Sequence, residues 1–168
     1  MKIIIRQEEP DDILAIEAVT KSAFLIHQHS SHTEQYITNA LRKSAELTIS
    51  LVAVINNEIV GHIAFSPVTI SDAAVGWFGL GPLSVLPSFQ SKGIGSQLVE
   101  KGLEGLKSIK AKGCVLLGDP KYYSRFGFKQ NSHLILEGVP QEYFLALGFS
   151  GSLPIGLVNY SGAFEAQG

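Results

Sequence analysis

The 168 residues have a length typical of one folded domain, and we expect a single domain over residues 1–168. Hydrophobic residues make up 45% and charged residues 17%, and the net charge of −2 provides no basic field that would attract nucleic acid or an anionic membrane. The single cysteine, Cys114, excludes an internal disulfide, and the apolar patch "IIIRQ" is too short for a secretion signal or a membrane span. We therefore expect a cytoplasmic protein with neither a nucleic-acid nor a membrane partner.

The first half of the chain predicts one strand, two helices and a three-stranded meander. A strand over "KIIIRQ" precedes helices over "EPDDILAIEAVTKSAF" and "SHTEQYITNALRKS", in which apolar residues recur at helical spacing. The runs "LTISLVAVI" and "IVGHIAFSPVTI" form a hairpin around "NNE", and "VGWFGLGPLSVL" is the third strand. Gly79, Gly81 and Pro82 fit a strand interior poorly, and they predict a bulge or a close approach to the backbone.

The second half returns to alternating helices and strands. The pattern predicts a helix over "IGSQLVEKGLEGLKSIKAKG", a strand over "CVLLGD", a short helix over "PKYYSRFG" and a strand over "FKQNSHLILEGV". A short helix at "QEYFLAL" and a final strand at "IGLVNY" follow. This order predicts an α+β fold with a mixed, mostly antiparallel central sheet that is flanked by helices.

The loop "QSKGIG" connects the third meander strand to the following helix. The first turn of a helix has free N–H groups and carries partial positive charge, so an anion such as a pyrophosphate is a natural ligand there. The known nucleotide motifs fit badly, because no G-x-x-x-x-G-K-[ST] run exists and "GIGSQL" lacks a third glycine. The alternative is an ordinary strand-to-helix turn with flexible glycines.

Two motifs resemble a known family. "LSVLPSFQSKGIG" resembles the signature of the GCN5-related N-acetyltransferase (GNAT) superfamily, in which a strand is followed by Q/R-x-x-G-x-G/A. "YYSRFGF" resembles the superfamily's later Y-x-x-x-G-F signature, and the order of elements matches its fold over nearly the whole chain. With "VNYSGAF" near the end, the sequence is similar to the bacterial subgroup of predicted acetyltransferases named after YhbS.

The resemblance implies that acetyl-CoA binds as co-substrate in a V-shaped cleft between two strands that diverge. It implies a set of cofactor-binding residues on the strand, the loop and the later tyrosine motif: Leu83, Ser84, Val85, Gln90, Ser91, Lys92, Gly93, Ile94, Gly95, Ser96 and Tyr122. Tyr123 would donate its phenolic proton to the departing sulfur, although a core aromatic on a short helix would look the same in the sequence.

The sequence gives no clear general base. Many relatives carry a glutamate on the strand before the loop, but "VGWFGLGPLSVL" contains no acid. His62 has a suitable ordinary pKa and Ser84 is able to relay a proton, yet both are also common as structural residues in strands. His27, His29 and His32 lack ligand partners at metal-binding spacing, so we expect no metal site. We place them in the loop between the first two helices, which the resemblance to the superfamily implies borders the acceptor site.

These observations predict an acetyl-CoA-dependent N-acetyltransferase that acts on a primary amine of a small molecule or peptide. Direct transfer in a ternary complex is expected because no activated Cys or Ser nucleophile is visible. The alternative is a non-catalytic acyl-CoA-binding sensor or interaction module. The sequence is compatible with a monomer or a homodimer.

Overall fold

The structure is a computed structural model that describes residues 1–28 and 30–168. The helices are α1 (Ile13–Phe24), α2 (Glu34–Lys43), α3 (Ile94–Ser108) and α4 (Pro120–Tyr123). The strands are β1 (Ile4–Gln7), β2 (Ile49–Ile55), β3 (Glu58–Pro67), β4 (Thr69–Ile70), β5 (Trp77–Val85), β6 (Gly113–Leu117), β7 (Lys129–Gln130), β8 (Leu134–Ile135), β9 (Phe144–Gly148) and β10 (Gly156–Asn159).

A seven-stranded sheet in the order β1-β2-β3-β5-β6-β9-β7 forms the centre of the fold. Neighbouring strands in it are antiparallel except for β5 and β6, which run parallel. A second sheet in the order β4-β10-β8 lies outside it. The predicted mostly antiparallel α+β architecture is confirmed.

The strand pleat divides the central sheet into two faces. A Cβ added to Gly61 would lie 3.1 Å from Leu98 Cδ1, so Gly61 faces α3 and the next residue, His62, faces the opposite side. On that opposite side Val52 packs against Ile16 of α1. We call these two sides the α3 face and the α1/α2 face.

Helix α3 holds one side of the main core. Its residues Ile94, Leu98, Val99 and Leu106 are at most 1% exposed and recur at helical spacing, so they form one apolar stripe. This stripe packs on apolar residues of β2, β3 and β5 in a single cluster. The position of the N-terminus of α3, where the "QSKGIG" loop ends, is therefore fixed by burial.

Two predicted elements in the C-terminal third are wrong. "QEYFLAL" is not a helix: Gln141–Tyr143 form a 3-10 turn and Phe144–Gly148 form β9, an inner strand between β6 and β7. A short apolar run is ambiguous between a buried helix and a buried strand, and here pairing on both sides decides for the strand. "FKQNSHLILEGV" is not one strand either, because β7 and β8 belong to different sheets on either side of a turn at Asn131.

Candidate functional site

A cleft opens where β5 and β6 diverge. The two strands pair only from Trp77 to Gly79, opposite Gly113 to Val115. Beyond this point β5 continues to Val85 on β3, whereas the end of β6 pairs with β9 alone. One edge of β5 is thus left without a strand partner among the described residues.

The irregularity expected within β5 lies at this opening. Ile63 of β3 is opposite Leu83 and Phe65 is opposite Leu80, so a single β3 residue, Ala64, spans both Gly81 and Pro82. This is the arrangement of a β-bulge, which confirms the prediction from the glycines and the proline.

The backbone of β5 presents hydrogen-bonding groups to the cleft. The N–H of Leu86 donates to the Val60 carbonyl at 2.8 Å. Antiparallel pairs alternate, so the Ser84 backbone also bonds to β3, while the N–H and C=O groups of Leu83 and Val85 point away from β3. The Val85 carbonyl indeed accepts from Gln90 Nε2 at 3.0 Å. The backbone N–H groups of Leu83 and Val85 therefore face the open edge of β5.

The loop after β5 ends in the exposed first turn of α3. Ser91 and Gly93 have φ angles of +62° and +84°, which turn the chain into the helix. The Gly93 carbonyl accepts the first helical bond, from the N–H of Gln97 at 3.1 Å. None of the six N–H groups from Ser91 to Ser96, a segment that includes Lys92 and Ile94, has an acceptor among the described residues. The loop thus forms a set of convergent free donors at a positive helix end.

The two glycines of the loop have different reasons to be glycine. Gly93 needs a left-handed backbone, and a Cβ there would have no neighbouring atom within 4 Å. A Cβ on Gly95 would lie 3.1 Å from the Tyr122 hydroxyl. Space for a ligand thus lies beside Gly93, whereas Gly95 makes room for Tyr122.

Tyr122 closes over the start of α3. Its hydroxyl lies 3.3 Å from Ser96 Oγ, and the Arg125 guanidinium carbon stands 4.5 Å from the centre of its ring. Arg125 thus stacks on Tyr122, and its Nε donates to the Tyr122 carbonyl at 2.8 Å. In the loop itself, Lys92 Nζ lies 5.8 Å above the Phe89 ring.

Tyr123 lies on the β6 side of the opening. Helix α4 begins directly after β6, with Asp119 as its cap: the Asp119 carboxylate accepts from the N–H of Lys121 at 2.9 Å. The Tyr123 ring packs over Gly118 and meets Phe128 edge-on, with ring centres 6.1 Å apart. Burial, followed by the neighbouring Tyr122, raises the pKa of Tyr123 above its ordinary value. The phenol is accordingly a protonated donor at neutral pH.

His62 is fully buried on the α1/α2 face. Its Nε2 lies 2.7 Å from Ser50 Oγ, and Ser50 donates in turn to the Glu8 carboxylate. Burial lowers the pKa of His62 to about 4, with Glu8 opposing and Arg42 adding to the effect. His62 is therefore neutral near pH 7. Its Nδ1 and the Ser84 hydroxyl are both buried and without a partner among the described residues.

Several other side chains are peripheral to the opening or belong to the core. Trp77 and Phe78 pack in the second and the main core cluster, respectively. His27 packs against Phe24 and His32 is exposed, while His29 lies outside the described residues. Cys114 is buried, and burial raises the pKa of its thiol.

The described residues contain neither a metal-binding cluster nor a membrane-spanning helix. Within residues 1–28 and 30–168, no group of three or more His, Cys, Asp or Glu side chains is arranged to hold a metal ion. Over the same residues no helix combines the length and the apolar character needed to cross a membrane.

Comparison with known proteins identifies relatives of the whole arrangement. The family model described as "Acetyltransferase (GNAT) domain" matches residues 46–130. YhbS of Escherichia coli K12, described as an uncharacterized N-acetyltransferase, is 36% identical over 132 residues, which is 78% of this chain and 76% of that protein. A GNAT family acetyltransferase from Brucella melitensis in complex with acetyl-CoA is 46% identical with a TM-score of 0.87, over 97% of this chain and 98% of that chain. The structure of Escherichia coli YhbS in complex with CoA has a TM-score of 0.90 at 31% identity, over 100% of this chain and 94% of that chain.

Proposed function

The chain belongs to the GNAT acetyltransferase family, and from that premise we propose that it transfers an acetyl group from acetyl-CoA to a primary amine of a small molecule or peptide. The transfer takes place directly within a ternary complex. The observation that carries the proposal is the row of six free N–H groups from Ser91 to Ser96, which lies next to the diverging edge of β5. Two relatives crystallised with acetyl-CoA or CoA support it.

The residues present fit such a co-substrate. A pyrophosphate requires N–H donors and positive charge; the first turn of α3 offers free N–H groups at a positive helix end, and Lys92 lies in the same loop. The open space beside Gly93 is the volume that a Cβ would begin to fill. The backbone groups of Leu83 and Val85 suit the amides of a pantetheine arm, and Tyr122 covers the start of the helix. Gln90 holds the loop through its bond to the Val85 carbonyl.

Acetyl-CoA supplies an activated thioester, and the chain has to orient it and manage protons. A backbone N–H on the free edge of β5, near Leu83, is placed to polarise a carbonyl as an oxyanion-hole donor does. Tyr123 holds the proton that the departing sulfur requires, because its raised pKa keeps the phenol protonated. A protonated amine loses one proton to solvent before it attacks. Its second proton leaves as the amide forms and replaces the proton that Tyr123 gives to the sulfur, so the products are an amide and the free thiol of CoA.

Calorimetric titration of acetyl-CoA, with thermal melts, tests the proposal. At one hundred times its dissociation constant the ligand adds about 2.7 kcal/mol, which raises Tm by roughly 5 to 11 °C for a domain of this size. Gly93→Glu should abolish this shift because it places a bulky anion among the donors. Gly138→Glu is the matched control, since Gly138 has the same φ of +84° and open surroundings outside the loop.

Turnover is then measured as thiol release with a panel of amines that contains a polyamine, an aminoglycoside and a lysine peptide. Binding together with turnover of any amine supports the enzyme. Binding with no turnover on a broad panel would favour the acyl-CoA-binding module. An absence of binding to acetyl-CoA and to CoA would overturn the proposed function.

A further inference from the structure

A chain of hydrogen bonds runs from the surface to the interior on the α1/α2 face. Arg42 grips the Glu8 carboxylate through two bonds, of 2.9 Å from Nε and 2.8 Å from Nη2. Ser50 bonds to the same carboxylate and, at 2.7 Å, to His62 Nε2. The chain thus leads from a largely buried ion pair, between Arg42 of α2 and the residue that follows β1, to a fully buried imidazole on β3.

The chemistry of the groups fixes the direction of every bond in this chain. Burial alone would raise the pKa of Glu8, but hydrogen bonds from Arg42 and Ser50 outweigh it and the pKa is lowered, so Glu8 is an ionised acceptor. The single hydroxyl proton of Ser50 is therefore directed to Glu8, and Ser50 accepts from His62. This requires the proton of the neutral imidazole to reside on Nε2, which leaves a bare lone pair on Nδ1.

Ser84 is the residue that faces this lone pair from β5. His62 and Ser84 are directly opposite in the β3–β5 register, and Ser84 shares the face of His62 because Leu83 and Val85 pack on the α3 face. The side chains of such a pair start about 5 Å apart. Nδ1 is a buried acceptor without a donor and Ser84 Oγ a buried hydroxyl without a partner among the described residues. We expect the Ser84 side chain to rotate toward Nδ1, because the two groups are the unpartnered donor and the unpartnered acceptor of this register pair.

We propose that Ser84 binds the N–H of the acceptor amine, and that Glu8, Ser50 and His62 are positioning residues that hold its hydroxyl proton on the far side. With that proton directed to Nδ1, only lone pairs of Ser84 Oγ remain, so the site selects a hydrogen-bond donor. Ser84 lies between Leu83 and Val85, the two residues whose backbone groups face the cleft, and its side chain is buried on the α1/α2 face. This inference rests on the proposed function and moves the side chain of Ser84 from the cofactor to the acceptor.

Among the described residues, the buried part of α1 brings no charge to the β3–β5 pair that carries His62 and Ser84. The buried residues of α1 that cover this part of the sheet carry no titratable group: Ile16, Val19, Thr20 and Ala23. The charges that influence His62 are those of Glu8 and Arg42, and they oppose each other. The amine is therefore held by a directed hydrogen bond and not by a net negative charge.

The test uses the full chain and combines two measurements. Nitrogen-15 NMR of the imidazole should show the Nε2–H tautomer of His62 in the wild type, with the preference lost in Ser50→Ala. With acetyl-CoA and an amine that the panel identifies, Ser84→Ala and His62→Leu should lower kcat/KM about tenfold, as expected for one lost hydrogen bond. The dissociation constant of acetyl-CoA should not change. His62→Gln should retain much of the activity, because its amide supplies both an acceptor for Ser84 and a donor for Ser50.

Thr20→Val is the matched control, since this hydroxyl is buried on the same face but bonds only to the Ile16 carbonyl of its own helix, at 2.8 Å. An Nδ1–H tautomer, or Ser84→Ala activity equal to that of Thr20→Val, would overturn the inference. If the wild type binds acetyl-CoA but acetylates no amine, the proposed function fails whatever the tautomer of His62. The proposed role of Ser84 in binding an amine then fails with it. A correct tautomer with selective loss in Ser84→Ala supports the inference.

Discussion

The two faces of the central sheet are built from different kinds of residue. On the α3 face the strands and the helix contribute apolar side chains to one continuous core cluster. The described residues have a set of buried polar side chains, and all of them lie on or toward the α1/α2 face: Asp12, Thr20, Gln35, Thr38, Ser50, His62, Ser66 and Ser84.

This difference separates a scaffold from a reactive surface. Apolar packing on the α3 face fixes the position of the free donors at the start of α3 without involving any polar group. Buried polar groups on the α1/α2 face cost stability unless they are paired, and several of them are unpaired among the described residues. Their presence there is best explained by function, since apolar residues would stabilise the fold more.

The largest effect is expected from Tyr123, whose ring packs against the apolar cluster of the α3 face. Tyr123→Phe removes the proposed donor to sulfur and should lower kcat by roughly a hundredfold or more, while acetyl-CoA affinity changes little. Steady-state kinetics and calorimetry together measure this split. Tyr122→Phe is the matched control, because it removes only the 3.3 Å contact to Ser96 Oγ. Equal losses of turnover in the two variants would contradict a specific role for Tyr123.

Lowering the pH should destabilise the protein through the buried His62 on the α1/α2 face. The pKa of His62 is about 4 in the folded protein and 6.5 ordinarily. At a pH between these two values, the imidazole is protonated in the unfolded chain and neutral in the folded protein. The free energy of unfolding should therefore decrease as the pH is lowered through this window, by about 2 kcal/mol between pH 7 and pH 5. Urea unfolding at the two pH values measures the change.

The comparison variant is His62→Gln, which should lose most of this pH dependence. His133→Gln, at an exposed histidine, should retain the pH dependence of the wild type. If the pH dependence of His62→Gln matched that of the wild type, the buried neutral imidazole would not be its source.

The sequence predicted the scaffold better than the polar face. Periodicity was sufficient for the meander and α3, and the glycines and proline of β5 predicted the bulge at Gly81 and Pro82, because these signals are local. The strand nature of "QEYFLAL" depends on pairing with β6 and β7, which are distant in the chain. Likewise His62 was recognised only as an isolated histidine. Its partners Ser50 and Glu8 reach it through the sheet register, which a single sequence does not specify.

The α3 face is packed so closely that an added methyl group should destabilise it. A Cβ on Gly102 would overlap the ring of Phe65, which is fully buried between α3 and β3, so Gly102→Ala should destabilise the fold by about 2 kcal/mol. Gly105→Ala is the control on the same helix, because its Cβ meets only the flexible end of Ile49, at 2.9 Å. That variant should stay within about 1 kcal/mol of the wild type, since helix propensity offsets the contact. Thermal melts should place Gly102→Ala roughly 4 to 8 °C below the wild type, with Gly105→Ala closer to the wild type.

The smallest effect is expected for an unpaired hydroxyl on the polar face. Ser66 is fully buried with no partner for its Oγ among the described residues, whereas the hydroxyl of Thr20, also fully buried, donates to the Ile16 carbonyl. Removing a satisfied hydroxyl should cost about 1 kcal/mol in Thr20→Val, but Ser66→Ala removes a group that already carries a desolvation cost and should leave stability unchanged or slightly higher. Chemical denaturation resolves this difference. A larger loss in Ser66→Ala than in Thr20→Val would mean that Ser66 has a partner in solution, and the polar face would then be a satisfied structural network and not a surface prepared for a ligand.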